Sequence, residues 1–356
     1  MNLRLKKIQE RLAIWKIDAL LITTMENIRY LSGFTGSSGV IIITSEQAFF
    51  LTDSRYAEQS KNEVGRLKIK IYKKQIEDVA CLINKLKPRA IGFEAKGLVY
   101  ETYRRLKALI HGKRLIPVSE DIYRIRARKD AGELKLIKKA ISLSSVGFNA
   151  AMNCIAPGAL ECDAAFDIEM AMKKNGAEGL SFDIIAASGK RAALPHGKAS
   201  DKRIKRHEMI IVDLGAKYNG YYSDETCTFA VGKPDKEQRK VYQVVKDAHD
   251  KAIEAVRPGV KASYIDSAAR CFIKRAGYGR YFSHGTGHGV GLAVHEWPNI
   301  SPYNDDVVEE GMVFTIEPGI YIPGWGGVRI EDMVLVTKNG CEVLTEMSKE
   351  LKQVSS

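Results

Sequence analysis

Four acidic residues occupy positions where an unpaired acid would be strongly disfavoured. Met209-Ile-Ile-Val-Asp213-Leu-Gly215 reads as an apolar strand ending in carboxylate-x-Gly, and Tyr222-Ser-Asp224-Glu-Thr226 returns after a turn. Met312-Val-Phe-Thr-Ile-Glu317-Pro-Gly319, a turn and Val328-Arg-Ile-Glu331-Asp repeat the pattern. The second carboxylate follows the first by 11 residues in one copy and by 14 in the other. Burying such carboxylates without a partner is strongly unfavourable, and divalent cations are the economical compensation. Taken singly, each acid is as readily a strand-edge charge or an ion-pair partner; the duplication turns the balance toward metal. It also points to two ions, with each hairpin supplying one terminal and one bridging carboxylate. Two such ions about 3.5–4 Å apart can share a hydroxide.

The fifth ligand expected is His288, in His284-Gly-Thr-Gly-His288-Gly-Val-Gly. Its glycines let backbone approach closely, and an imidazole there suits a metal. Four carboxylates and one histidine make an oxygen-rich, thiolate-free set, which favours Mn²⁺, Co²⁺ or Fe²⁺ over a structural zinc site and leaves Zn²⁺ open. The six cysteines are scattered without a Cys-x-x-Cys pair. They read as buried free thiols of a reducing compartment.

The elements that must carry these residues fall into two domains, expected over 1–125 and 126–356. In the first, Leu3 to Trp15 has helical spacing, Asp18 to Thr23 reads as a short buried strand, and Gly39–Thr44 with Ala48–Thr52 reads as a hairpin. Helices near 76–86 and 98–110 alternate with strands near 67–72, 89–93 and 114–118. This α/β domain holds no cluster of acid, base and nucleophile. Gly33-Phe-Thr-Gly36 lacks the context of a phosphate loop and reads as a turn. The second domain opens with a helix capped by Asp130, with Glu133 completing a capping box, and that helix ends before Pro157-Gly158. Further helices are expected near 162–175, 235–256 and 262–275, with strands elsewhere up to about 345.

The formal net charge is +12. Residues 1–125 hold 23 Lys and Arg against 13 Asp and Glu, whereas residues 126–356 hold 32 against 30. The excess sits in pairs on polar helix faces, which argues for a solvated surface and against nucleic-acid binding. The basic stretch Met1 to Gln9 lacks a signal-peptide core, and no apolar run is long enough to span a bilayer. The expected location is the cytoplasm, with no membrane partner.

Six motifs carry a resemblance: Ala193-Leu-Pro-His196-Gly, Val212-Asp213-Leu-Gly, Tyr222-Ser-Asp224-Glu-Thr, His284 through His288 to His295-Glu-Trp-Pro298, Thr315-Ile-Glu317-Pro-Gly and Val328-Arg329-Ile-Glu331-Asp. In this order they resemble the pita-bread metallopeptidases of the M24 family, and most of all the proline-specific branch, the Xaa-Pro dipeptidases (prolidases) and aminopeptidase P. Methionine aminopeptidases share the catalytic fold without the first domain, and creatinase-like members share both domains without the metal ligands. The resemblance implies an α/β N-terminal domain like that of creatinase and prolidase, serving dimerisation or substrate gating. It further implies an α+β pita-bread catalytic domain with pseudo-twofold duplicated β-hairpins. By the same resemblance Asp213 binds one metal terminally, His288 and Glu317 bind the other, and Asp224 and Glu331 bridge. His196, His284 and His295 line the substrate site and help stabilise the tetrahedral intermediate, and Arg329 lies beside the site.

Strand alternation independently puts Arg329 and Glu331 on one face. There Arg329 could grip a bridging carboxylate or a substrate carboxylate with both arms of its guanidinium. His111, His207 and His249 lie outside the motifs and read as surface residues. Where relatives usually have arginine three residues after the second aspartate, this chain has Cys227; alternation turns it away from Asp224, so a supporting contact rather than a ligand is lost. The chemistry implied is attack of a metal-bridging hydroxide on an Xaa-Pro bond, with His284 or His295 polarising the carbonyl and Glu317 shuttling the proton. Short proline-containing peptides are the expected substrates and a homodimer the expected assembly. A non-catalytic pita-bread module that binds peptides or proteins is the rival reading, disfavoured by the intact ligand set.

Overall fold

A computed structural model describes residues 3–118 and 120–354; Met1 and Asn2, at the start of the basic N-terminal stretch, lie outside it. The chain divides into two compact units, Met1–Arg126 and Ala127–Ser356.

The first unit is built on a six-stranded sheet in the order Lys68–Ile71, Ala48–Thr52, Val40–Thr44, Ala19–Ile22, Ala90–Phe93, Arg114–Pro117. The central strands are continuous apolar runs because helices cover the sheet, as mixed and parallel sheets require. The expected hairpin is Val40–Thr44 paired antiparallel with Ala48–Thr52. Three short helices escaped the sequence reading, Met25–Ser32, Ala57–Glu63 and Glu120–Ala127. The first ends on Gly33, whose φ of 81° makes the Gly33–Gly36 stretch a helix stop rather than a phosphate loop. Its start is capped from a distance. The buried Glu94 carboxylate accepts from the Thr23 and Thr24 N–H groups and the Thr24 hydroxyl at 2.5, 2.8 and 2.7 Å.

The second unit repeats one arrangement twice. Helices Ala131–Cys154 and Glu161–Lys174 pack together, as do Lys236–Ala255 and Ala262–Arg275. Each pair covers a β layer: Ile185–Ser188, Met209–Leu214 and Glu225–Val231 in one, Gly287–Gly289, Val313–Ile316 and Asp332–Val336 in the other. Asp130 caps the first long helix through the expected capping box with Glu133.

Register then fixes the acids. Asp213 pairs with Thr226, and Ile316 with Asp332, so each acid-bearing strand lies against its return strand. The two hairpins meet where the Glu331 N–H donates to the Thr226 carbonyl at 3.1 Å. The strand expected to carry both Arg329 and Glu331 is not continuous, since Gly326–Arg329 ends before Asp332–Val336 begins. At Gly287 a Cβ would sit 1.8 Å from the Thr315 carbonyl oxygen, so only glycine lets this strand close on its neighbour.

Two substitutions test this account by urea unfolding. Asp130→Ala should lower stability by about 1 kcal/mol through loss of the cap. Gly287→Ala should lower it by about 1–3 kcal/mol through overpacking; unchanged stability would mean that the close strand contact is not required.

Candidate metal centre

Asp213 is the last residue but one of Met209–Leu214, Asp224 immediately precedes Glu225–Val231, Glu317 immediately follows Val313–Ile316, and Glu331 sits in the break before Asp332–Val336. Strand ends free these side chains from the ladder while the sheets keep their backbones fixed. Asp213, Asp224 and Glu331 are 8%, 4% and 2% exposed. Ligand atoms of Asp224, His288 and Glu331 all lie within 4.8 Å of one another.

Hydrogen-bond polarity sharpens the picture. His288 Nδ1 lies 3.1 Å from the Gly289 carbonyl oxygen, which can only accept, so Nδ1 carries the proton. Nε2 is then an acceptor, 3.4 Å from Glu317 Oε1 and 3.5 Å from Asp224 Oδ2. Acceptors facing acceptors need a cation or a proton between them. Asp213 Oδ1 is likewise buried without a hydrogen-bond partner. Such a donor set fits divalent cations.

Electrostatics agrees. Burial, together with Glu331, Asp213 and Glu317, pushes the Asp224 carboxyl well above its ordinary range. Burial, Glu317 and Asp213 do the same to Glu331. Burial raises Glu317 too, although His284 and Arg329 oppose it. Carboxylates this crowded hold protons when nothing else neutralises them.

The surrounding histidines differ in role. His284 Nδ1 donates to the Gly285 carbonyl at 2.8 Å, so Nε2 accepts from the Tyr321 hydroxyl at 2.9 Å. Burial keeps this imidazole neutral. His295 packs against His288 with ring centroids 4.1 Å apart and the rings tilted by 48°. Partial burial, His288 and His196 push its pKa down to about 4. The next residue, Glu296, is buried in an ion pair with Lys129, which anchors the His295 loop. His196 is exposed and lies near enough to His284 and His295 to disfavour their protonated forms.

Arg329 is 2% exposed and its donors are engaged. It reaches Asp213 Oδ2 at 2.7 Å, the Tyr321 hydroxyl and the Pro195 carbonyl at 3.0 Å each, and the Thr226 hydroxyl at 3.1 Å. This differs from the expected two-armed grip on a bridging or substrate carboxylate. The guanidinium makes a single contact with Asp213 because its other nitrogens face Tyr321, Pro195 and Thr226.

Three further residues enter that the sequence reading missed. Tyr321 joins Arg329 to His284, Thr226 donates to Glu331 Oε2 at 2.7 Å, and Lys129 holds Glu296. The alternation Thr226-Cys227-Thr228 was the available signal for a polar face within an apolar strand.

His249 needs correction: it is 2% exposed, not a surface residue. It follows Val245 by one helical turn on the apolar face, and its nitrogens lie 3.1 Å from Asp250 and from Asp332. The cysteines also depart from expectation. All six are free, but Cys81, Cys162 and Cys271 are exposed, and only Cys227 is fully buried. Cys227 does turn away from Asp224, into the core beside Phe229.

Comparison with known proteins accords with this geometry. The sequence profile of metallopeptidase family M24 matches residues 135–338, and that of the creatinase/prolidase N-terminal domain matches residues 4–128. The Xaa-Pro dipeptidase of Pyrococcus horikoshii is 44% identical over 352 residues, 99% of each chain. The structure of an Xaa-Pro dipeptidase from Bacillus anthracis superposes with a TM-score of 0.95 at 39% identity, covering 98% of each chain. That of an X-Pro aminopeptidase from Thermotoga maritima gives 0.89 at 39% identity, covering 98% of this chain and 100% of the other. With the paired hairpins, the buried acids and both domains in place, the chain belongs to metallopeptidase family M24 and carries the creatinase/prolidase N-terminal domain.

Proposed function

We propose that this metallopeptidase removes the N-terminal residue from short peptides in which proline comes second. The observation that carries the metal reading is the meeting of His288 Nε2 with the oxygens of Asp224 and Glu317, which need a cation or a proton between them. The similarity to Xaa-Pro dipeptidases and to an X-Pro aminopeptidase supports proline as the leaving residue.

In this reading Asp213 and Asp224 from one hairpin, and Glu317 and Glu331 from the other, would hold two divalent ions together with His288. An oxygen-rich set of this kind suits Mn²⁺ or Co²⁺, with Fe²⁺ and Zn²⁺ as alternatives. The bound ions supply Lewis acidity and a water acidic enough to ionise near neutral pH.

The chain's own residues do the rest. Arg329 orients Asp213 and compensates part of the buried negative charge. Glu317, whose burial favours proton uptake, takes the proton of the attacking water and returns it to the proline nitrogen. His295 stays neutral above pH about 4 and can donate an N–H to the scissile carbonyl oxygen without becoming charged. His284 has its Nδ1 proton committed to Gly285 and its Nε2 to Tyr321, so it acts here by fixing Tyr321 and the site wall. His196, exposed beside them, is assigned to substrate contact. A homodimer in the cytoplasm is the proposed setting; six free thiols suit a reducing compartment. No helix among the described residues is long and apolar enough to cross a membrane.

Hydrolysis of Ala-Pro and Ala-Pro-Ala, by metal-stripped protein with and without Mn²⁺ or Co²⁺, tests the assignment. Metal-dependent cleavage of the dipeptide alone marks a dipeptidase, and preference for the tripeptide marks an aminopeptidase. Cleavage of neither by protein with bound metal would remove the proline assignment and favour a binding module. A second expectation follows from the raised Asp224 and Glu331. Metal must displace their protons, so affinity should rise with pH. Calorimetry in buffers of different ionisation enthalpy should register proton release, and its absence would contradict the protonated cluster.

A further inference from the structure

Behind the proposed metal cluster lies a second group of buried charges that the chemistry above does not use. Asp224 and Glu331 are each followed directly in sequence by another acid, Glu225 and Asp332. Glu225 is 0% exposed and Asp332 4%. Alternation turns them from the cluster to the opposite face, where Cys227 also points. One ammonium serves both. Lys349 Nζ contacts Glu225 Oε1 directly and lies 3.2 Å from Asp332 Oδ1 and 3.7 Å from Cys227 Sγ. Its side chain is 9% exposed. The loop that delivers it is held on both sides. The Leu344 N–H donates to the Met333 carbonyl, the Tyr242 hydroxyl to the Lys349 carbonyl, and the Ala230 N–H to the Lys352 carbonyl. Asp332 is additionally met by the Thr345 hydroxyl and lies 3.1 Å from His249.

Glu225 belongs to the hairpin of Asp213 and Asp224, and Asp332 to the hairpin of Glu317 and Glu331. Two buried anions on facing strands repel, and removing a shared cation leaves them uncompensated. The strands would then separate at the point where they present Asp224 and Glu331. We propose that Lys349 is a positioning residue for the metal cluster, a cation shared by the two hairpins that sets the approach of Asp224 to Glu331. The inference rests on the reading that those two carboxylates hold metal. It assigns the segment after Cys341–Val343 a part in metal binding, although none of its side chains reaches the cluster. It also explains how the chain accommodates Cys227, since a cation arriving from the C-terminal segment fills the space that a cation at 227 would reach.

Mn²⁺ affinity and the visible absorption spectrum of the Co²⁺-loaded protein provide readouts independent of peptide hydrolysis. K349M, which keeps length without charge, should lower Mn²⁺ affinity by about ten- to a hundredfold, the usual effect of losing a group that orients a ligand, and should change the Co²⁺ bands. K349R should retain the wild-type affinity and spectrum. The swap K349A/C227R, which brings a cation to the same two acids from the other side, should restore what K349A alone loses. Wild-type affinity and spectrum in K349M would overturn the proposal, as would a folded swap that binds Mn²⁺ no better than K349A. Where K349M does not accumulate, K349R and the swap give the decision. Wild-type protein that binds neither ion would instead overturn the metal reading itself, which keeps the two failures distinct.

Discussion

Mutual repulsion among Asp213, Asp224, Glu317 and Glu331 is the constraint around which the catalytic unit is arranged. Burial and the neighbouring carboxylates disfavour ionisation of Asp224, Glu317 and Glu331, and crowding four acids in one space disfavours the folded state. The structure meets this with Arg329 on Asp213, a neutral His288 whose lone pair points inward, and an arrangement of oxygens that divalent cations would satisfy. The hairpins, the glycines beside His288 and the hydroxyl of Thr226 all act to hold groups together that electrostatics would drive apart.

Precision in such a site comes from sheets rather than loops. The acids stand at strand ends or in the break before Asp332–Val336, where the backbone is fixed by the ladder but the side chain is free to leave the pleat. The histidines come from less regular backbone and have individual anchors. His284 is tied to Tyr321, and the His295 loop to Lys129 through Glu296. The division fits the proposed chemistry, in which the acids would be ligands that must not move and the histidines would meet substrate.

Much of this was legible in the sequence because it was local or repeated. The doubled carboxylate-x-Gly pattern gave the acids, and glycine spacing gave His288. The Asp130–Glu133 pair gave the start of the long helix. What escaped reading depended on contacts distant in the chain. Glu94 caps a helix some 70 residues away. Arg329 turned out to be committed to Asp213, Tyr321 and Pro195, none of them deducible from alternation. His249 lies outside the motifs, and its burial shows only in its place one turn after Val245 on the apolar helix face. Lys349 lies in a segment without periodicity, and only the fold brings it to Glu225 and Asp332.

The short parallel pairing of Gln353–Val354 with Ala230 and Val231 has a consequence for how the molecule assembles. More than a hundred residues separate the two partners, so this contact closes a long loop and contributes to a high contact order. The hairpin of Asp213 and Asp224 can form early from neighbouring sequence. Its outer edge stays open until the far segment arrives, bringing Lys349 with it. Completion of the proposed ligand cage is thereby coupled to a slow class of folding event, and a partly folded chain would present the acids without the geometry that holds them together.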